Sequence, residues 1–199
     1  MLEQRIQQHF IDSADLKYQS AQALGKPVAA AVQALLACVT SGGKVLACGH
    51  GGSATLAQHF AAMFVGRFER ERPELGALAL TADGAILTAI ARSEDGAQVF
   101  ARQVRALGQA GDVLLAISTS GNAAPVLRAL EAAHEREMTV VALTGHGGGE
   151  MGQALRETDV HICVPHERMA RIHEVHGLVL HCLCDGVDSQ LLGDQDLST

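Results

Sequence analysis

Two short segments carry the residue types best suited to chemistry: Gly49-His50-Gly51-Gly52-Ser53 and Ser118-Thr119-Ser120-Gly121-Asn122. Each follows a compact apolar run and leads into helical periodicity. Each is therefore expected at the carboxyl end of a strand, where open α/β sheets bind ligands. The helix that follows offers free N–H groups and the positive end of its dipole, which favour an anion. Glycines let the backbone approach closely, and hydroxyls add donors without charge. The ordinary alternative is that Gly makes a turn while Ser or Asn caps a helix. Two such loops in one domain favour a phosphorylated small molecule, with Gly51, Gly52, Ser53, Ser118, Thr119 and Ser120 as its contacts. A dinucleotide site is weighed too, because Gly49-x-Gly51-x-x-Ala54 fits a GxGxxA pattern. The acid that should end its second strand is missing: Glu69 and Glu71 fall before that strand and Asp83 comes late.

Histidines supply the remaining reactive groups. His50, His173 and His181 could titrate near neutrality. His59, His173 and His181 are a candidate three-histidine zinc set, although unpaired core or surface histidines are the plainer reading. Nothing in the residues demands a cofactor.

The elements that would position these groups follow from periodicity. Apolar residues from Leu2 to Leu24 recur every three or four positions, and Val28, Val32, Leu35, Leu36 and Val39 repeat the pattern. Gly25 and Pro27 predict a break between two helices, which precede any strand and form an appendage over 1–41. Strands are expected at 44–48, 76–80, 112–117, 139–144 and 160–164. Helices are expected near 54–67, 84–91, 96–107 and 123–136, with a long one from about Arg168 to Leu191. Continuous apolar strands alternating with helices predict an α/β fold with a parallel sheet covered on both faces, spanning 42–192. The tail 193–199 is expected to fray.

Composition narrows the field. The 199 residues are 48% hydrophobic and 19% charged, which excludes a disordered chain. Fifteen basic against 22 acidic residues leave a formal charge of −7, unsuited to a nucleic-acid or anionic-membrane surface. The N-terminal residues lack a signal-peptide pattern and the apolar runs are short, so a soluble cytoplasmic protein is expected. The five cysteines are expected reduced.

The runs GHGGSATLAQHFAAMFVGRFERERP, LTADGAILTAIA, RQVRALGQAGDVLLAISTSGN, VVALTGHGGG and ARIHEVHGLVLHCLCD resemble the sugar isomerase (SIS) domain. Within that family they are similar to the phosphoheptose isomerase branch, which also contains DiaA, the DnaA initiator-associating protein. The resemblance implies a five-stranded parallel SIS sheet, a sugar-phosphate pocket and a homotetramer packed partly through the helical appendage. It also implies a reaction centre with a Glu four residues after a His on the first SIS helix. A Gln and a His on the C-terminal helix complete that centre. The corresponding positions here are His59, Met63, His173 and His181. Further departures are His50 for an Asn of the first loop, Arg92-Ser93 for an Asn-Asp pair, and Ala123 for a Ser closing the second loop.

The phosphate cradle therefore matches the family while the proton-transfer centre does not. Aldose–ketose isomerisation requires a positioned base and a matching acid, and Met cannot take a proton. The leading expectation is accordingly a tetrameric sugar-phosphate-binding regulator of the DiaA kind. It would recognise the replication initiator DnaA without isomerase activity, with Leu191 and Leu192 as candidate partner contacts. The alternative is a phosphoheptose isomerase acting on sedoheptulose 7-phosphate, in which His173 or His181 serves in proton transfer.

Overall fold

The structure, a computed structural model, describes residues 1–93 and 96–193. Five parallel strands form one sheet in the order β2-β1-β3-β4-β5: β1 Val45–Gly49, β2 Ala77–Ala79, β3 Val113–Ser118, β4 Thr139–Thr144 and β5 Val160–Cys163. In the central pairing Val45 lies opposite Val113 and Gly49 opposite Ile117. β1 and β3 are buried along their whole length. That burial explains why their sequences read as unbroken apolar runs rather than alternating ones. The strand boundaries agree with the sequence expectation to within one or two residues.

Alternate side chains of the strands feed two cores. On one face Val45, Ala47, Leu115 and Ile117 pack with Phe60, Phe64, Ile172 and Val179. On the other Leu46, Leu114, Ala116 and Val140 pack with Phe100, Val104, Val126 and Leu130. The helices are α1 Leu2–Thr40, α2 Gly52–Val65, α3 Gly84–Ser93, α4 Ala101–Leu107, α5 Ala124–Glu135, α6 Gly149–Ala154 and α7 Met169–Leu192. The single helix expected over 96–107 is a short 3-10 turn at Gly96–Gln98 followed by α4. The turn helix His146–Gly148 and α6 carry no strong periodic signal and were not expected.

The break expected at Gly25 and Pro27 does not occur, because α1 runs straight through Pro27. An interior proline removes one helical hydrogen bond and crowds the preceding turn. Yet Leu24, Ala31, Val32 and Leu35 on either side of it are buried in the core shared with α7. Tertiary packing holds both halves in one helix. By length and composition α1 is also apolar enough to cross a membrane; in the fold its second half is the core-facing one. The first half leaves Leu2, Ile6, Phe10, Ile11 and Tyr18 exposed. All five cysteines are free, with Cys38, Cys48 and Cys184 buried. Of the tail expected to fray, residues 194–199 lie outside the described residues.

Candidate active site

The two loops meet at the carboxyl ends of adjacent strands. β1 ends at Gly49, where a side chain would collide with the backbone carbonyl of Ser53. The chain then turns through Gly51 at φ +60° to start α2 at Gly52. Only glycine adopts that conformation at low cost. β3 ends at Ser118, and Gly121 lies against the backbone of Gly148 with no room for a side chain. Asn122 Oδ1 accepts a hydrogen bond from the Glu150 N–H at 2.8 Å. This tie, with the Met151 N–H donating to the Gly121 carbonyl at 2.9 Å, fixes the second loop on the first turn of α6.

Between the loops lies an open cleft of about 240 Å³, closed on its far side by Ala123, Met169 and His173. All six residues expected to hold a phosphate line it. The N-termini of α2 and α5 converge there, so an anion would meet two dipoles and several free N–H groups. Ser53, Ser118 and Thr119 are buried, and their hydroxyls add neutral donors.

α7 brings the histidines. His173 Nε2 lies 3.1 Å from Ser53 Oγ, and its ring rests on the α-carbon of Gly52. Burial holds the His173 imidazole below its ordinary pKa, so it is neutral at pH 7 and able to accept a proton. One turn on, the fully buried His176 has Nε2 3.0 Å from the Thr144 carbonyl oxygen and donates to it. Burial pushes its pKa down to about 4, against the pull of that hydrogen bond and with a small further push from His173. Farther along, His181 Nε2 lies 3.2 Å from His59 Nε2 on α2, with Phe68 against the His181 ring.

The three histidines expected as a zinc set do not assemble. His59 and His181 meet, but His173 is turned to Ser53. Positions 173 and 181 are about 12 Å apart along the helix at 1.5 Å per residue, too far for both rings to reach one ion. Among the described residues no group of three His, Cys, Asp or Glu side chains is placed to hold a metal. The SIS resemblance would put a carboxylate at position 63; Met63 is instead a buried core side chain. Two imidazoles fall short of the three protein ligands a catalytic zinc takes, and no step is assigned to a metal. His50 sits on the cleft rim, exposed, and Arg92 is exposed on α3. The sequence reading missed the Ser53–His173 pairing and the role of Met169. The only available signal was that 169 and 173 share a face of α7.

A profile described as the SIS domain matches residues 9–145. The chain belongs to the SIS-domain family. It is 67% identical to the phosphoheptose isomerase of Methylibium petroleiphilum, over all of this chain and 99% of that one. Among solved structures, the phosphoheptose isomerase of Neisseria gonorrhoeae superposes with a TM-score of 0.91 at 49% identity. That match covers 95% of this chain and 100% of the other. The phosphoheptose isomerase of Francisella tularensis gives 0.92 at 43%, covering 95% and 99%.

These relatives overturn the expectation of a non-enzymatic DiaA-like regulator of DnaA. The matched relatives are phosphoheptose isomerases by name over their full length, so Met63 and the accompanying departures are too slight a ground for denying catalysis. Leu191 and Leu192 were expected as partner contacts. Both are exposed on the last turn of α7.

Proposed function

We propose that the protein is a phosphoheptose isomerase that interconverts sedoheptulose 7-phosphate and the corresponding aldoheptose 7-phosphate. The observation that carries the reading is the cleft at the ends of β1 and β3. There two helix N-termini and the hydroxyls of Ser53, Ser118, Thr119 and Ser120 face a neutral imidazole. The similarity to phosphoheptose isomerases over the whole chain supports the substrate class.

The chemistry divides between the loops and α7. Gly51–Ser53 and Ser118–Ser120 take the phosphate, leaving the sugar to extend along the seam between α2 and α7. Isomerisation removes a proton from one carbon and returns it to the neighbour. His173, already hydrogen-bonded and neutral, is the base on this seam. The His59–His181 pair lies farther along it and can donate or accept through either ring nitrogen. Met63 contributes no proton. The protein works in the cytoplasm on this reading, as a homotetramer. The exposed Ile6, Phe10 and Tyr18 of α1 support self-association, because an apolar stripe of this kind gains stability when a second copy covers it.

The test separates binding from chemistry. Thr119→Ala with Ser120→Ala is expected to raise KM for sedoheptulose 7-phosphate roughly thirtyfold, since each lost hydroxyl is worth about 1 kcal/mol. His173→Ala is expected to lower kcat at least a hundredfold, the usual scale of a lost general base. Unchanged kcat in the His173 variant would remove the base from the scheme. Unchanged KM in the double variant would place the phosphate elsewhere.

A further inference from the structure

The segment between α2 and β2, Arg67 to Pro73, has no part in the cleft; Arg67, Glu69 and Glu71 are exposed, while Phe68, Arg70 and Arg72 turn inward. Phe68 lies on the His181 ring with centroids 5.5 Å apart. Arg70 Nη1 donates to the Gly193 carbonyl at 2.9 Å, at the C-terminal end of α7. Arg72 has a side chain with no solvent exposure and spends its donors on both helices. Its Nε donates to Asp188 Oδ1 on α7 at 2.6 Å, where the carboxylate is itself 3% exposed. Its Nη2 donates to the Met63 carbonyl at 2.9 Å, and its Nη1 to the Phe64 and Pro73 carbonyls at 2.9 and 3.2 Å. Met63 and Phe64 are in the last turn of α2, whose carbonyls have no helical partner.

We propose that this segment is a strap and that Arg72 is a positioning residue for the His59–His181 pair. Asp188 lies seven residues, two turns, beyond His181, on the same face of α7. Met63 lies one turn beyond His59 on α2. The guanidinium therefore joins the two helices one to two turns past the point where their histidines meet. Its planar fork fixes both the spacing and the axial register of the seam, because it bonds a carboxylate oxygen on one helix and carbonyls on the other at once. Lysine keeps the charge but has no fork, so it can hold Asp188 or the α2 carbonyls but not all of them. The strap does not touch the phosphate loops, which lie at the opposite end of α2.

The activity arm of the test rests on the isomerase reading; the structural arm does not. In the full-length protein with histidine rings selectively labelled, the His59 and His181 ring protons are close enough for a nuclear Overhauser contact. Arg72→Lys is expected to abolish or sharply weaken that contact. It is also expected to lower kcat at least tenfold with KM changed less than threefold, as for a misplacement of about 1 Å. In a His59→Ala background the same substitution is expected to cost no further kcat, an outcome that a general loss of stability would not produce. Asp188→Asn approaches the contact from α7 and is read identically if the Arg72 variant does not fold. A ring contact that persists in the folded variants overturns the proposal, whatever the turnover. A lost contact in a protein whose wild type shows no turnover supports the strap while refuting the isomerase reading.

Discussion

Replacing Gly52 by alanine puts the cleft's geometry under a small and calculable load. An added Cβ would sit 2.8 Å from His173 Cε1, against an ordinary closest approach of 3.4 Å. The ring must therefore retreat by roughly 0.6 Å, since carbon contacts this short lie on the repulsive wall. Retreat by that amount stretches the 3.1 Å Ser53–His173 contact beyond hydrogen-bonding range. Loss of one such bond is worth about 1 kcal/mol, or about fivefold, and a displaced base costs up to about a hundredfold in rate. Position 52 opens α2, and alanine is favoured over glycine in a helix by up to about 1 kcal/mol. The melting temperature is therefore expected to hold or rise while kcat falls between fivefold and a hundredfold. Steady-state turnover of sedoheptulose 7-phosphate, run beside a thermal melt, reads both. Wild-type kcat in a folded Gly52→Ala protein would refute the placement of His173 as the base.

Other perturbations reach the rest of the molecule. His176 binds its proton near pH 4 when folded and near 6.5 when unfolded. The unfolded state therefore takes up more protons below pH 6.5, and stability falls as the pH drops from 6.5 toward 4, by about 3 kcal/mol in all. Urea midpoints across that range should show the slope, and His176→Gln should flatten it. Asp112, buried at the start of β3, accepts from the Lys44 and Gln109 N–H groups and pairs with Lys44 Nζ at 2.6 Å. Asp112→Ala should cost about 3 kcal/mol in urea unfolding, and a loss under 1 kcal/mol would count against that accounting. Wild-type protein should sediment as the proposed tetramer at micromolar concentration and Ile6→Asp as smaller species without loss of helical content; a variant that stays tetrameric would show that α1 does not carry the association.

Local patterns announced most of the scaffold. β1, β3 and β4 are buried on both faces, so their composition alone marked them, and the long stripe from Ile172 to Val187 marked α7. The two glycine- and hydroxyl-rich loops were legible as cleft-forming because each stands between an apolar strand and a helix at the same end of the sheet. What escaped depends on contacts far apart in sequence. The continuity of α1 through Pro27 is set by its packing on α7, which no local window contains. Ser53 meets His173 across 120 positions and His59 meets His181 across 122. Which histidine pairs with which follows from the register of two helices, and that register is held in part by the buried Arg72. The same limit misled the functional reading: Met63 and the departures at His50, Arg92-Ser93, Ala123 and His173 were weighed as single residue types, without the contacts that join the cleft's groups in three dimensions.

Isomerisation of a sugar phosphate despite the thioether at position 63 is the activity proposed for this chain. Incubating the wild-type protein with sedoheptulose 7-phosphate in deuterated water and following the sugar by proton NMR tests it most directly. Steady conversion to the aldoheptose 7-phosphate is expected, with solvent deuterium appearing at C2 because an exchangeable imidazole carries the proton. Saturable binding of the ketose phosphate with no aldose formed and no deuterium incorporated would contradict it.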